Sequence, residues 1–154
     1  MGDANNVTHS LAQALLSLGA TLKVAAPEGY QLTSEEVSEL NTFAVGLSGG
    51  VELFSDPQAA AKGAEVLYTD VWTSMGQEAE SAQRRIDLAR FVIDDELLAG
   101  SADDAVVLHC LPAHRGEEIT ASVLEGPASR VWQQVTHRRT AMRGVFRWIA
   151  ESSI

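Results

Sequence analysis

The chain has 154 residues, of which 45% are hydrophobic and 21% are charged, and this is the size and composition of one globular domain. Its formal net charge at pH 7 is -10, so we expect it to repel nucleic acids and anionic membranes. The single cysteine, Cys110, excludes an intrachain disulfide, and without a basic leader or an apolar run of roughly 20 residues we expect a soluble cytoplasmic protein.

Apolar spacing in the first half of the chain predicts alternating helices and strands. The first helix is predicted from Val7, Leu11, Leu15 and Leu18, with Asn5 or Asn6 as its N-cap and Gly19 at its end. The elements that follow are a strand at Leu22 to Ala26, a helix from Thr33 to about Val45, a strand at Val51 to Phe54 and a short helix from Asp56 to Lys62. Thr33 and Glu36 have the spacing of a capping box.

The second half of the chain continues the alternation. Its elements are a strand at Glu65 to Tyr68, one or two helices within Gln77 to Ala99, a strand at Val106 to Cys110, a helix at Glu117 to Leu124, a strand at Val131 to Val135 and a helix from Thr136. Strands separated by helices predict a parallel sheet, because parallel neighbours need long right-handed crossovers. The predicted fold is α/β, with a doubly wound, mainly parallel, Rossmann-like sheet flanked by helices in one domain.

The first polar motif, Asp3-Ala4-Asn5-Asn6, lies directly before the first predicted helix. Backbone N–H groups and side-chain amides at a helix N-terminus can bind an anionic ligand group, because the helix dipole favours negative charge there. Asn and Asp are also common N-cap residues. From these residues alone, plain capping is the better supported interpretation.

A second polar motif, Asp70-Val71-Trp72-Thr73-Ser74-Met75-Gly76, follows a predicted strand. Ligands of open α/β sheets bind at the carboxyl ends of strands, so the Asp70 carboxylate could bind a cationic substrate group. Ser74 and the Met75 backbone could add polar contacts. A helix cap at Asp70 with a buried Trp72 explains the same residues equally well.

The only thiol follows another predicted strand, in the run His109-Cys110-Leu111-Pro112. This position suits an active site, although a lone cysteine at a strand end is more often a buried, inert side chain. His109 and His114 do not have the spacing of a zinc-binding helix. The residues therefore leave the role of Cys110 open and predict no metal site.

These three segments, in this order, resemble the ornithine carbamoyltransferase family, together with a final helix that carries Arg138. The resemblance is to the carboxyl-terminal, ornithine-binding half of the family's proteins, and it covers nearly all of residues 1–154. It implies attack of the δ-amine of L-ornithine on carbamoyl phosphate, which gives citrulline and phosphate in arginine biosynthesis without a metal or organic cofactor. The Asp-x-Trp-x-Ser-Met-Gly loop resembles that of the ornithine-selective members.

The resemblance also implies a role for each site residue. The implied substrate-binding residues are Asn6, Asp70, Ser74, Met75, Cys110 and Leu111, and the implied catalytic residues are Cys110, Asp70 and Arg138. Asn6 would hold the amino-acid end of ornithine, and Arg138 would polarise the carbamoyl group. A Cys110 thiolate paired with Asp70 would favour the reactive amine, and the Leu111–Pro112 bond would be cis.

The final predicted helix, about residues 136–150, departs from the family's pattern. Family members typically read Asn-Arg-Leu-His-Ala-Gln-Lys where this chain has His137-Arg138-Arg139-Thr140-Ala141-Met142-Arg143. Arg139, Arg143 and Arg147 form a charged stripe, and a separate apolar stripe consists of Met142, Val145, Phe146 and Ile149. Arg138 could therefore belong to a solvated basic helix.

Two features of the family are missing from this sequence. The Ser-x-Arg-Thr-Arg and His-Pro-x-Gln motifs, which bind carbamoyl phosphate in the family's other half, do not occur. We therefore expect carbamoyl phosphate to bind only when that amino-terminal domain is present, and we expect little or no turnover by the chain alone. The apolar strand that precedes Gly-Asp-x-x-Asn in the family is also missing, which predicts a gap in the sheet.

Two alternatives remain open at this level. The first is a non-catalytic module that binds ornithine or another amino acid weakly. The second is a natural or engineered scaffold that forms a homo-oligomer through the open sheet edge or the last helix, because unpaired strand edges recruit partners.

Overall fold

The computed structural model describes residues 1–152, and its helices and strands alternate along the chain. The elements are α1 (Asn6–Leu16), β1 (Thr21–Ala25), α2 (Ser34–Asn41), β2 (Gly50–Phe54), α3 (Pro57–Ala61), β3 (Val66–Thr69), α4 (Ser81–Asp87), α5 (Asp95–Ala99), β4 (Val106–His109), α6 (Ala121–Leu124) and α7 (Val131–Ser152). Short 3-10 helices lie at Thr42–Ala44 and Glu78–Glu80. Parallel strands flanked by helices confirm the predicted α/β class.

Side-chain caps fix the starts of the first two helices. Asn5 is the N-cap of α1, because its Oδ1 accepts a hydrogen bond from the Val7 N–H at 2.9 Å. At the start of α2, Thr33 and Glu36 form the predicted capping box, in which each side chain accepts from the other's backbone N–H. Both helix starts therefore have caps that neighbouring residues of the sequence supply.

The strands form two separate parallel pairs, β1 with β2 and β3 with β4. The predicted gap therefore lies between β1 and β3, and the first two residues of the chain cross one end of it. The Gly2 N–H donates to the Ala25 carbonyl at 2.9 Å, and the Met1 amino group donates to the Tyr68 carbonyl at 2.9 Å.

Each sheet also has its own core. One core contains Leu16, Val24 and Leu40 and the other contains Leu67, Val107, Ile119 and Leu124.

The strand predicted at Val131 to Val135 is wrong, because α7 begins at Val131 and includes these residues. Only an isolated bridge between Val107 and Ser129 continues the sheet at this edge. Val131 is fully buried, whereas Trp132 is exposed. Val131 and Val135 are four residues apart, which is a helical period, and this spacing outweighs their β-branched side chains.

The helix observed in the region predicted as Glu117 to Leu124 is shorter than the prediction. α6 begins only at Ala121, with Thr120 as its N-cap. Residues 116–118 form a turn, and Ile119 is drawn into a parallel bridge with Ile93, whose N–H donates to the Glu118 carbonyl. Tertiary pairing with Ile93 therefore replaces the first predicted helical turn.

The last helix, α7, extends away from the sheets. Nearly all of its residues after Val131 are exposed or half-buried, including the apolar side chains of Met142, Val145 and Phe146. Arg147 and Glu151, four residues apart, form an exposed ion pair of 2.7 Å. Within residues 1–152, no helix has the combination of length and apolar character that a membrane span requires.

A buried arginine connects three separate segments of the chain. Arg84 on α4 is 5% exposed, and its guanidinium donates to the Asp3 carboxylate and to the Trp72 carbonyl. Its Cζ also lies 5.0 Å from the centre of the Tyr30 ring. The loop before α1 and the loop after β3 are therefore both attached to α4.

Replacing this arginine should destabilise the fold strongly. We expect Arg84→Met to lower the free energy of unfolding by about 3 kcal/mol, because it leaves the half-buried Asp3 carboxylate without its cation. Arg85→Met is the matched control, because the Arg85 side chain is 56% exposed and pairs with Glu117 at the surface. Its free energy of unfolding, measured by urea denaturation, should fall by less than about 1 kcal/mol. Equal losses for the two variants would contradict the structural role of Arg84.

Candidate active site

The strand register brings two predicted site residues together. β3 and β4 pair in parallel with Thr69 opposite His109, so the residues that follow, Asp70 and Cys110, leave the same sheet edge side by side. The Cys110 thiol donates to the Asp70 Oδ1 at 2.7 Å. The carboxyl ends of these strands thus form the centre of the candidate site.

A third segment reaches the same carboxylate from the start of α1. The Asn5 Nδ2 donates to the Asp70 Oδ2 at 3.1 Å, while the Val71 N–H donates to the Asp70 Oδ1 at 2.7 Å. Asn5 thus caps α1 with its side-chain oxygen and holds Asp70 with its side-chain nitrogen. The site is assembled from the carboxyl ends of β3 and β4 and the amino end of α1.

The thiol of Cys110 is held in its neutral form. Burial, followed by the hydrogen bond to Asp70 and the charge of Asp70, raises the pKa of Cys110 to about 12. The expected thiolate is therefore wrong for this structure: near pH 7 the thiol donates to the carboxylate. Burial, the neighbouring Cys110 and other local contacts likewise raise the pKa of Tyr68 to about 12, so its side chain stays a phenol.

A buried histidine fixes the turn that follows Cys110. Leu111 has a φ of 59° and its bond to Pro112 is cis, as the family resemblance implies. A left-handed conformation costs a non-glycine residue roughly 1 kcal/mol, and here the Leu111 N–H donates to the His109 Nδ1 at 2.8 Å. Because Nδ1 accepts, the His109 Nε2 carries the proton and faces the Glu118 Oε1 at 3.1 Å.

The sequence predicted Asn5 as a possible N-cap, but it did not reveal the contact of Asn5 with Asp70 or the roles of His109 and Glu118. One signal was available: His109 and Glu118 are nine positions apart in the same motif, and a carboxylate that becomes fully buried needs a partner. Both side chains are 0% exposed. This buried pair stabilises the turn after Cys110, because His109 Nδ1 accepts a hydrogen bond from the Leu111 N–H.

The remaining predicted residues lie around this centre. Asn6 is exposed in the first turn of α1, Ser74 is half-buried and Met75 is 98% exposed. Within residues 1–152, hydrogen bonds join Asp70 to Asn5 and Cys110, and not to Asn6, Ser74 or Met75. Their assignment to ligand binding stays a prediction.

Arg138 reaches the site from the exposed surface of α7. Its Nη1 lies 3.5 Å from the Cys110 carbonyl oxygen. The structure therefore brings Arg138 to the same strand end as Asp70 and Cys110, although its guanidinium lies at the exposed rim and makes only this long hydrogen bond within residues 1–152.

One nearby group of side chains could bind a metal ion by composition. The ligand atoms of His114, Glu117 and Glu118 all lie within 4.8 Å of one another. Arg85 Nη2 already lies 2.9 Å from the Glu117 carboxylate, and His109 faces the Glu118 carboxylate. Because both carboxylates have cationic or donating partners, we assign no metal to this group.

Comparisons with known proteins give consistent matches over nearly the whole chain. The family model described as aspartate/ornithine carbamoyltransferase, Asp/Orn binding domain, matches residues 1–149. The ornithine carbamoyltransferase of Acidothermus cellulolyticus is 50% identical over 153 residues, which are 99% of this chain and 49% of the relative. The relative of the same name from Thermosynechococcus vestitus is 53% identical over 141 residues, 90% of this chain and 44% of its own length.

Solved structures match equally well. The ornithine carbamoyltransferase of Pyrococcus furiosus superposes with a TM-score of 0.88 at 45% identity, over 94% of this chain and 46% of that one. The anabolic ornithine carbamoyltransferase of Campylobacter jejuni gives a TM-score of 0.91 at 28% identity, over 97% of this chain and 50% of that one. The chain spans about half the length of the relatives it matches. With the family model covering residues 1–149 and the fold reproduced in these relatives, the chain belongs to the aspartate/ornithine carbamoyltransferase family and matches that family's aspartate/ornithine-binding domain.

Proposed function

We propose that residues 1–154 form the ornithine-binding domain of an ornithine carbamoyltransferase. In the complete enzyme, the δ-amine of L-ornithine attacks the carbonyl carbon of carbamoyl phosphate, and L-citrulline and phosphate leave. The observation that carries this proposal is the Asp70 carboxylate, held by Asn5 and Cys110 at the carboxyl ends of two parallel strands. The names of the matched relatives support the choice of ornithine.

The charge of Asp70 supports a role in binding an ammonium group. Its three hydrogen-bond donors, the Asn5 amide, the Cys110 thiol and the Val71 N–H, are all neutral. Among residues 1–152, no arginine, lysine or histidine side chain forms an ion pair with Asp70. Its negative charge is therefore available to a cationic ligand, and ornithine carries two ammonium groups.

The neutral thiol of Cys110 has a different role from the one expected for a thiolate. As a donor to Asp70 Oδ1, it fixes the orientation of the carboxylate and leaves the single negative charge on Asp70. We assign Arg138, whose Nη1 lies 3.5 Å from the Cys110 carbonyl oxygen, to polarising the oxygen of a carbamoyl group, because a guanidinium donates charge-assisted hydrogen bonds.

The other predicted ligand contacts lie beside this centre. We assign Asn6, in the first turn of α1, to the α-carboxylate end of ornithine, where the helix dipole also favours an anion. Ser74, Met75 and Leu111 would line the rest of the substrate. These residues form only the amino-acid side of the reaction.

Carbamoyl phosphate requires groups that this sequence does not contain. Neither a Ser-x-Arg-Thr-Arg nor a His-Pro-x-Gln motif is present, and loss of even one oxyanion-stabilising donor costs about 10²- to 10³-fold in rate. We therefore propose that the chain alone binds ornithine without significant turnover. The amino-terminal domain of the family would supply the missing groups.

Self-association is the second candidate function. It is favoured by the exposed apolar side chains of α7, among them Phe146 at 63% and Met142 at 51%. This role does not require a charge at Asp70. A variant that lacks only that charge therefore separates the two candidates.

Removing the charge of Asp70 should weaken ornithine binding. We expect Asp70→Asn to raise the Kd of L-ornithine by about 10- to 100-fold, the effect of losing one charge-assisted hydrogen bond. The measurement is a chemical-shift titration by NMR, which also covers millimolar affinities. L-norvaline, which lacks the δ-amine, identifies the ammonium group involved: its Kd should rise in Asp70→Asn if Asp70 binds the α-ammonium and stay the same if Asp70 binds the δ-ammonium.

Asp104→Asn is the control for net charge, because Asp104 is exposed before the amino end of β4. It should leave ornithine affinity unchanged. Equal L-ornithine affinities of the unmodified chain and Asp70→Asn would contradict the role of Asp70.

The raised pKa of Cys110 predicts slow alkylation. At pH 8 we expect iodoacetamide to react with Cys110 on the order of 50-fold more slowly than with an ordinary thiol, since a pKa of about 12 leaves little thiolate and higher nucleophilicity compensates only in part. The rate should still be rising above pH 10. Asp70→Asn should accelerate it several-fold, because it removes the negative charge that opposes ionisation. A rate that levels off near pH 9 would contradict this assignment.

A further inference from the structure

The side chain of Gln134 extends the hydrogen bonding along one edge of β4. Before α7, the Val107 N–H donates to the Ala128 carbonyl at 3.0 Å, and the Arg130 N–H donates to the Val107 carbonyl at 2.9 Å. Two residues further along the strand, where the same edge is presented again, the His109 N–H donates to the Gln134 Oε1 at 3.0 Å. A side-chain amide from the first turn of α7 therefore takes the position of the next backbone carbonyl.

This bond fixes the orientation of the Gln134 amide. A backbone N–H can only donate, so the amide oxygen must face His109 and the amide nitrogen must face the other way. There the Gln134 Nε2 donates to the hydroxyl oxygen of Tyr68 on β3 at 3.3 Å. Because this oxygen accepts from Gln134, the hydroxyl proton of Tyr68 is directed to a different neighbour.

That neighbour is the sulfur of Cys110. Burial raises the pKa of Cys110, and a hydrogen bond from the Tyr68 hydroxyl opposes that rise. The Cys110 thiol in turn donates to the Asp70 Oδ1 at 2.7 Å. Four side chains therefore form one chain of donors that runs in a single direction, from Gln134 through Tyr68 and Cys110 to Asp70.

Gln134 gives this chain of donors a fixed starting point. A hydroxyl and a thiol rotate about their own bonds, so neither Tyr68 nor Cys110 has a preferred direction by itself. Both side chains are half-buried, and hydrogen bonds in such surroundings polarise one another. The direction of the thiol proton toward Asp70 thus depends on an amide that the main chain of β4 holds in place.

The same residue sets the position of Arg138. Arg138 is four residues after Gln134, so the two side chains lie on one face of α7. Gln134 binds the N–H of His109, and the Arg138 Nη1 lies 3.5 Å from the carbonyl oxygen of the following residue, Cys110. Consecutive turns of α7 therefore contact consecutive residues at the end of β4.

We propose that Gln134 is a positioning residue of this site: from α7 it directs the Cys110 thiol at Asp70 through Tyr68, and so holds the carboxylate in place for an ammonium group. Gln134 and Tyr68 act through Cys110 and are not assigned a contact with the substrate. The inference rests on the proposed role of Asp70 in ornithine binding, but the direction of the thiol is measurable without a ligand.

The S–H stretching band in the Raman spectrum tests the direction of the thiol. Cys110 is the only cysteine, so the band has one source, and its frequency falls as the thiol forms stronger hydrogen bonds. We expect Gln134→Met and Tyr68→Phe each to move the band to higher frequency and to broaden it. Gln133→Met, at the exposed neighbouring position, is the matched control and should leave the band unchanged.

A second substitution at Gln134 separates positioning from folding. Gln134→Glu keeps an acceptor for the His109 N–H but has no donor for Tyr68, so the Tyr68 hydroxyl should turn to the new carboxylate and leave Cys110. The band should therefore shift even though the bond to β4 remains. An unshifted band in Gln134→Glu and Gln134→Met would overturn the proposal, and a shift in Tyr68→Phe alone would overturn the role of Gln134.

L-ornithine binding connects the direction of the thiol with function. We expect Gln134→Met and Tyr68→Phe each to raise the Kd of L-ornithine by about 2- to 10-fold, the effect of losing one neutral hydrogen bond. The double variant should add little to either single change, because both interrupt the same chain of donors. Gln133→Met should leave the Kd unchanged.

The two measurements distinguish a failure of this inference from a failure of the proposed function. If the unmodified chain does not bind L-ornithine, the proposed function fails, and the Raman band alone decides whether Gln134 directs the thiol. If L-ornithine binds with the same Kd to the unmodified chain, Gln134→Met and Tyr68→Phe, the proposed function stands and the positioning role is overturned. Fully additive effects in the double variant would also overturn the path through Tyr68.

Discussion

The parallel register of β3 and β4 is the constraint on which the candidate site depends. With Thr69 opposite His109, the chain leaves both strands at the same level, and Asp70 and Cys110 become hydrogen-bonded neighbours. A shift of one residue would turn one of these side chains to the other face of the sheet. The third component, Asn5, arrives because Gly2 pairs with β1 and Arg84 holds Asp3.

The balance of charge around this point explains what the site can bind. Most nearby acidic groups already have partners: Asp3 pairs with Arg84, Glu117 with Arg85 and Glu118 with His109. Asp70 is held only by neutral donors. The cluster is therefore suited to an ammonium group.

The helix and strand pattern was predictable where local signals decide the outcome, as in the Thr33 capping box and the buried strands. It was not predictable where tertiary contacts compete. Residues after Val131 have β-branched side chains but continue a helix, and Ile93 draws Ile119 into an extended bridge instead of a helical turn. Sequence placed Asp70 and Cys110 at strand ends, and the family resemblance suggested that they meet. The neutral thiol and the buried His109–Glu118 support depend on desolvation, which only three-dimensional packing reveals.

The central claim is that this chain contributes the ornithine side of a site whose other side lies in a second domain. The most direct measurement is citrulline formation from L-ornithine and carbamoyl phosphate, by the chain alone and after mixing with the separately produced amino-terminal half of the Acidothermus cellulolyticus relative. The account predicts no citrulline above background from the chain alone, formation after mixing, and loss of that activity in the Asp70→Asn chain. Citrulline formed at the same rate by the chain alone would contradict it.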